Sequence, residues 1–193
     1  MRIALAALLG LAACASPFQR PAGDELRLGE TTAADVVARM GGAPTSSNAT
    51  VRNGRTLSVF SYTLPADHEK PHGYEGIIPG RSFNFFFDGE RLVAHEFSST
   101  VAADHTDFDL RGMRAIVKGK TTREEVTRLL GPPSGYAIFP FVGVKTGEAM
   151  VYAYRESRRV PLGAPLVFSK TLLITFDKDG TVDDIAYRTS GNR

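Results

Sequence analysis

The feature that most constrains this chain is a phrase it uses twice. Residues 116–134 read IVKGKTTREEVTRLLGPPS and residues 27–45 read RLGETTAADVVARMGGAPT, with Gly29 matching Gly119 and Gly41 matching Gly131 at one constant offset. Such self-similarity predicts two copies of one supersecondary unit. In the later copy Thr121 or Thr122 caps a helix, and Glu124 or Glu125 reaches back to the cap. Val126, Leu129 and Leu130 form its apolar stripe, and Gly131 with Pro132 and Pro133 stops it. In the earlier copy Thr32 and Asp35 are the capping pair, Val36 and Met40 the stripe, and Gly41, Gly42 and Pro44 the stop. Arg39 stands where Leu129 does, so the first helix is expected to bury less.

Each helix is followed by strand patterns. Asn53-Gly54, Asp88-Gly89 and Asp179-Gly180 are hairpin turns between alternating segments, and Thr146-Gly147 is a further turn. Leu57 and Val59 face one way while Phe60, Tyr62 and Leu64 face the other. Phe83, Phe85 and Phe87 share a face in the first copy, as do Leu172, Ile174 and Phe176 in the second, and Met150, Tyr152 and Tyr154 share another. Between the copies, Phe108 and Met113 are expected to anchor a further short helix. The unit therefore reads as a helix followed by a three-stranded antiparallel meander.

Residues 1–13 carry one charge, Arg2, and then an apolar run too short to cross a bilayer, which describes a signal peptide. Leu11-Ala12-Ala13-Cys14 resembles the lipobox of bacterial lipoproteins. By that resemblance Cys14 receives a diacylglyceryl group and becomes the first residue of the mature chain. An ordinary signal peptide cut near Ala13 or Ala15 is the alternative. Ala15 in place of an aspartate implies, by resemblance to known sorting rules, the periplasmic face of an outer membrane. Residues 14–25 then form a lipidated tether, and acyl chains hold it to the membrane. With one cysteine in the chain no internal disulfide can form, and packing must hold the fold. The balance of 23 Lys+Arg against 21 Asp+Glu gives nothing to recruit nucleic acid.

The repeated phrase followed by a meander resembles the SmpA/OmlA (BamE-like) lipoprotein family. Its matching residues here are Gly119, Thr121, Glu125, Val126, Leu129, Leu130, Gly131 and Pro133, then Tyr152 and the hairpin from Phe176 to Val182. Gly29, Thr31, Val36, Met40, Gly41 and Pro44 match in the first copy. The resemblance implies an α+β fold of two tandem units at 26–100 and 101–193, each a helical pair on a three-stranded antiparallel sheet. It also implies a non-enzymatic outer-membrane scaffold, with an envelope partner such as the barrel-assembly machine. The doubled arrangement is similar to that of β-lactamase inhibitory proteins, which grip an enzyme on a concave sheet. That similarity implies the alternative of a periplasmic inhibitor or ligand-binding lipoprotein.

Reactive chemistry finds little foothold. His68, Glu69 and His72 share a loop, but Pro71 between the histidines breaks the helix a ligand pair would need, so a solvated loop is expected. No G-x-S-x-G, P-loop or G-x-G-x-x-G is present, and Asp177-Lys178-Asp179-Gly180 lacks the later glutamate of a calcium loop. No catalytic residue, metal or cofactor is expected. The candidate binding residues are aromatic: Phe86, opposite the Phe83 set, together with Phe139 and Phe141, projecting from a free sheet face.

Overall fold

The computed structural model describes residues 25–143 and 147–191. The signal segment, Cys14, nearly all of the tether and Thr146 lie outside the described residues. The elements run α1 (Ala33–Arg39), β1 (Ser46–Arg52), β2 (Arg55–Pro65), β3 (Gly80–Asp88), β4 (Arg91–Ser99), α2 (Leu110–Arg114), α3 (Arg123–Leu130), β5 (Gly135–Ala137), β6 (Ala149–Arg158), β7 (Leu166–Phe176) and β8 (Val182–Ser190).

The helices of the repeated phrase, α1 and α3, start as their sequences dictate. Thr32 accepts a hydrogen bond from the Asp35 amide at 3.2 Å while the Asp35 carboxylate accepts one from the Thr32 amide at 2.9 Å. Thr122 and Glu125 close the same pair of bonds at 3.3 and 2.9 Å, which makes Thr122 the cap. Thr121 does something else, accepting from the Val117 amide at 2.9 Å to hold the preceding turn. That turn then docks on a strand: Gly119 N donates to Val182 O, and Val182 N to Thr121 O. The earlier phrase docks identically, through Gly29 N to Leu92 O and Leu92 N to Thr31 O. Gly29 and Gly119 hold φ of 80° and 71°, where a side chain would be strained.

The expectation of two tandem units, each a helical pair on its three-stranded antiparallel sheet, is overturned: the first half carries a single helix, α1. All eight strands form one antiparallel sheet in the order β1 to β8, four strands to each half of the chain. The halves join where β4 pairs with β5, through Ala94↔Ala137, His95↔Tyr136 and Glu96↔Gly135. Phe97 N to Ser134 O and Ile138 N to Val93 O extend the seam at both ends. Gly135 permits it, because a Cβ there would lie 1.8 Å from the His95 carbonyl oxygen. The stretch from Tyr136 to Gly143 is a strand only over its first two residues. Beyond Ala137 it turns, with Phe141 N and Val142 N both bonding Ile138 O.

One face of the sheet carries the helices. Under α1 lie Phe83, Phe85 and Phe87 of β3, with Leu92 and Phe97 of β4, packed with Val36 of the helix. Under α2 and α3 lie Tyr152, Leu172, Ile174 and Phe176, packed with Val126 of α3. Arg39, at the Leu129-equivalent position, bonds Glu25 at 2.7 Å instead of packing inward. Two bulges, one where register shifts between Phe86 and Phe87 and one between Thr175 and Phe176, bend β4 and β8.

Candidate binding surface

The face opposite the helices is concave, and the cavity there gives the reason. Strands β1 and β8 are the two edges of an eight-stranded sheet, which laid flat would stand roughly 30 Å apart. Yet Val51 and Arg52 of β1 and Ala186 and Arg188 of β8 line one hollow of about 500 Å³. The sheet has therefore curled until its edges approach across this face, making a trough.

Pleat alternation decides what fills the trough, since residues two apart share a face. At its other end a hollow of about 600 Å³ is lined by small polar side chains of successive strands: Asn48 on β1, Ser61 on β2, Ser82 and Asn84 on β3, Ser98 on β4 and Ser157 on β6. The register places Ser61, Asn84 and Glu96 side by side across three strands. Ser61 Oγ donates to Asn84 Oδ1 at 2.7 Å and Asn84 Nδ2 donates to Glu96 Oε1 at 2.9 Å, a polar row that fixes all three rotamers. Burial pushes the Glu96 carboxyl above the usual carboxylate range, against the pull of the Asn84 amide and the Arg52 charge. Ser98 Oγ accepts from the Arg155 amide at 2.7 Å, tying β4 to β6 just beyond the short strand β5. Arg155 and Arg188 stand exposed on β6 and β8.

The predicted aromatics are here, covered by one another where a projecting set was expected. Phe86 does lie opposite the Phe83 set, but it is 8% exposed, because Phe141, 7% exposed, folds over it with ring centroids 4.6 Å apart. Phe139 is half-buried in the same turn. Asn53, at the β1–β2 turn, donates from Nδ2 to Pro140 O at 2.9 Å, and Arg52 lies 5.3 Å over the Phe141 ring. The turn from Ile138 to Gly143 thus clasps the β1–β2 hairpin, and Phe86 and Phe141 wall the hollow. The sequence signal that was missed is the Ser, Thr and Asn alternation along β1, β2 and β3. Those residues read as ordinary solvent-facing positions until curvature brings them together.

The His68 to His72 loop is spent on structure. Glu69 pairs with Arg81, which also bonds Asp104 at 2.7 Å. His72 stacks on His105 with ring centroids 3.5 Å apart. Among the described residues no group of three metal-ligating side chains converges. At the Asp177 turn the carboxylate accepts from the Asp179 and Thr181 amides, both at 2.9 Å. A further hollow of about 720 Å³ lies on the helix side between Leu26 and α3. Its main cation, Arg123, is already committed to Glu148 and to the Phe176 ring 4.2 Å away.

No family model matches the chain, so the SmpA/OmlA resemblance gains no support there, and no curated protein matches it. Among solved structures, a Streptococcus mutans protein provisionally described as a β-lactamase inhibitor protein superposes with a TM-score of 0.38. The two chains are 12% identical, with 82% of each covered. That superposition is too loose to bear on fold or role.

Proposed function

We propose that this protein is a lipid-anchored envelope protein that captures a partner protein in the trough of its sheet and performs no chemistry of its own. The observation that carries the reading is the curl itself, which gathers hydroxyl, amide and guanidinium groups at one end of the trough, beside an apolar stretch around Phe86 and Phe141. Such a surface suits a protruding loop with backbone carbonyls and acidic side chains, since charge and hydrogen-bond complementarity set specificity. The carboxylate at the trough floor, Glu96, is occupied by Asn84, and no histidine or cysteine is among the described residues lining either hollow. This favours an inhibitor-type or ligand-capturing role. The assembly-scaffold role expected from the family resemblance has no observation of its own and is not preferred.

A photo-crosslinking side chain placed at Asn48 or Ser82 should yield one discrete protein adduct in native envelopes, and that adduct should weaken when Arg155 is changed to Glu. The same side chain at Glu124, on the exposed flank of α3, should yield none. Adducts from Glu124 alone would place the binding surface on the helices and overturn the reading. The anchor is tested separately: Cys14→Ser should release the chain into the soluble periplasm, and retention in the outer-membrane fraction would refute lipid attachment.

A further inference from the structure

We propose that the hollow between β1 and β8 binds a small amphipathic acid, its apolar body lying between Phe86, Phe141 and Leu173 and its carboxylate held by Arg52. At about 500 Å³ the hollow is of the size that takes a small ligand. Its apolar wall is firm, because Phe86 and Phe141 pack ring on ring and Asn53 pins the turn that carries Phe141. Its polar atoms are the telling part. Arg52 Nε and Thr175 Oγ1 are both enclosed, and neither has a hydrogen-bond partner among the described residues. Two enclosed polar atoms left unmatched in one hollow are costly unless an acceptor reaches them.

The charge balance favours an anion as that acceptor. Arg188 adds a second cation from β8, while Asp184 at the rim is paired with Lys118. Glu96 faces Arg52, but it already accepts from Asn84 and its burial disfavours the charged form, so Arg52 is not fully neutralised. The Arg52 guanidinium is also held over the Phe141 ring, which positions it at the junction of apolar wall and polar end. An aromatic or short acyl acid matches both halves. This site lies at the opposite end of the trough from the Asn48 and Ser82 hollow and does not depend on capture of a partner protein there.

The probe is 8-anilino-1-naphthalenesulfonate, an aromatic body with an anionic head, titrated against the full chain and followed by fluorescence. One saturable site per chain is expected. Arg52→Met, which keeps an unbranched apolar stem and removes the guanidinium, should weaken it about tenfold, the scale of one charge-assisted hydrogen bond. Thr175→Val should weaken it less, and Arg155→Met, at the other end of the trough, should leave it unchanged. Decanoate should displace the probe and decanol should not. Equal binding by Arg52→Met and the parent, or equal displacement by the alcohol, overturns the acid site. Fluorescence that never saturates overturns the hollow as a site.

Discussion

Replacing Gly135 by alanine should cut the protein along its middle. An alanine Cβ would meet three backbone atoms of β4: the His95 carbonyl oxygen at 1.8 Å, its carbon at 2.7 Å and the Glu96 Cα at 2.9 Å. Backbone cannot swing aside as a side chain tip can, and ordinary contacts sit near 3.5 Å, so β4 and β5 must part by more than an ångström. Overpacking of this kind costs about 1–3 kcal/mol. Stretching the Ala94–Ala137 to Glu96–Gly135 pairings forfeits roughly two hydrogen bonds at about 1 kcal/mol each. The sum, about 3–5 kcal/mol, corresponds to a fall in Tm of roughly 10 °C for a chain of this size. Gly80→Ala is the control. It makes the same change in β3, where the nearest atom to the new Cβ is the Leu64 carbonyl oxygen at 3.9 Å, and it should be neutral or slightly stabilising. Urea and thermal melts of the two variants decide the matter. A Gly135→Ala protein within 0.5 kcal/mol of the parent, about the scatter of a neutral surface change, would refute the tight seam.

Three further outcomes follow from single contacts. Thr122→Ala should cost about 1 kcal/mol by removing the α3 cap, and Thr122→Ser should recover most of it in the same urea titration. Lys170→Met should cost about 3 kcal/mol, because Lys170 is buried, bonds Asp107 at 2.6 Å and also bonds the Phe108 carbonyl; a change below 1 kcal/mol would show the pair to be dispensable. Burial, and then the neighbouring His72, hold the His105 imidazole below its ordinary value of 6.5, against the opposing pull of Asp107 and Asp104. The unfolded chain therefore takes up that proton first as pH falls through about 6.5, and stability drops on the acid side. His105→Gln should flatten this limb of the stability profile, and an unaltered limb would remove His105 as its cause.

How much of this was legible in the sequence depended on how far apart the interacting residues lie. The caps at Thr32 and Thr122 and the turns at Asn53-Gly54, Asp88-Gly89 and Asp179-Gly180 are local chemistry, and the structure has them where the residues put them. The face shared by Phe83, Phe85 and Phe87 follows from alternation alone. The joining of the halves does not. It turns on Gly135 meeting His95 across some forty residues, and a lone glycine after a helix stop gives no sign that another strand needs its missing side chain. Curvature was equally hidden, since each bulge depends on which residue the partner strand skips. Phe86 shows the consequence. Its face was legible and its exposure was not, because exposure depended on Phe141 folding back from a turn written as a strand.

The order of the sheet has a bearing on how the chain reaches this structure. Every strand lies beside its neighbour in sequence, so pairing never requires a later strand to slip between two earlier ones. A chain delivered from its N-terminus can lay down β1 to β4 as each emerges, with only hairpin and loop closures to complete. The longest wait is at β4, whose free edge must persist while the two helices of the connection form and Gly135 arrives. Until then that edge is a row of unpaired amides and carbonyls open to any passing strand. The vulnerable moment in the life of this protein is therefore the half-built sheet.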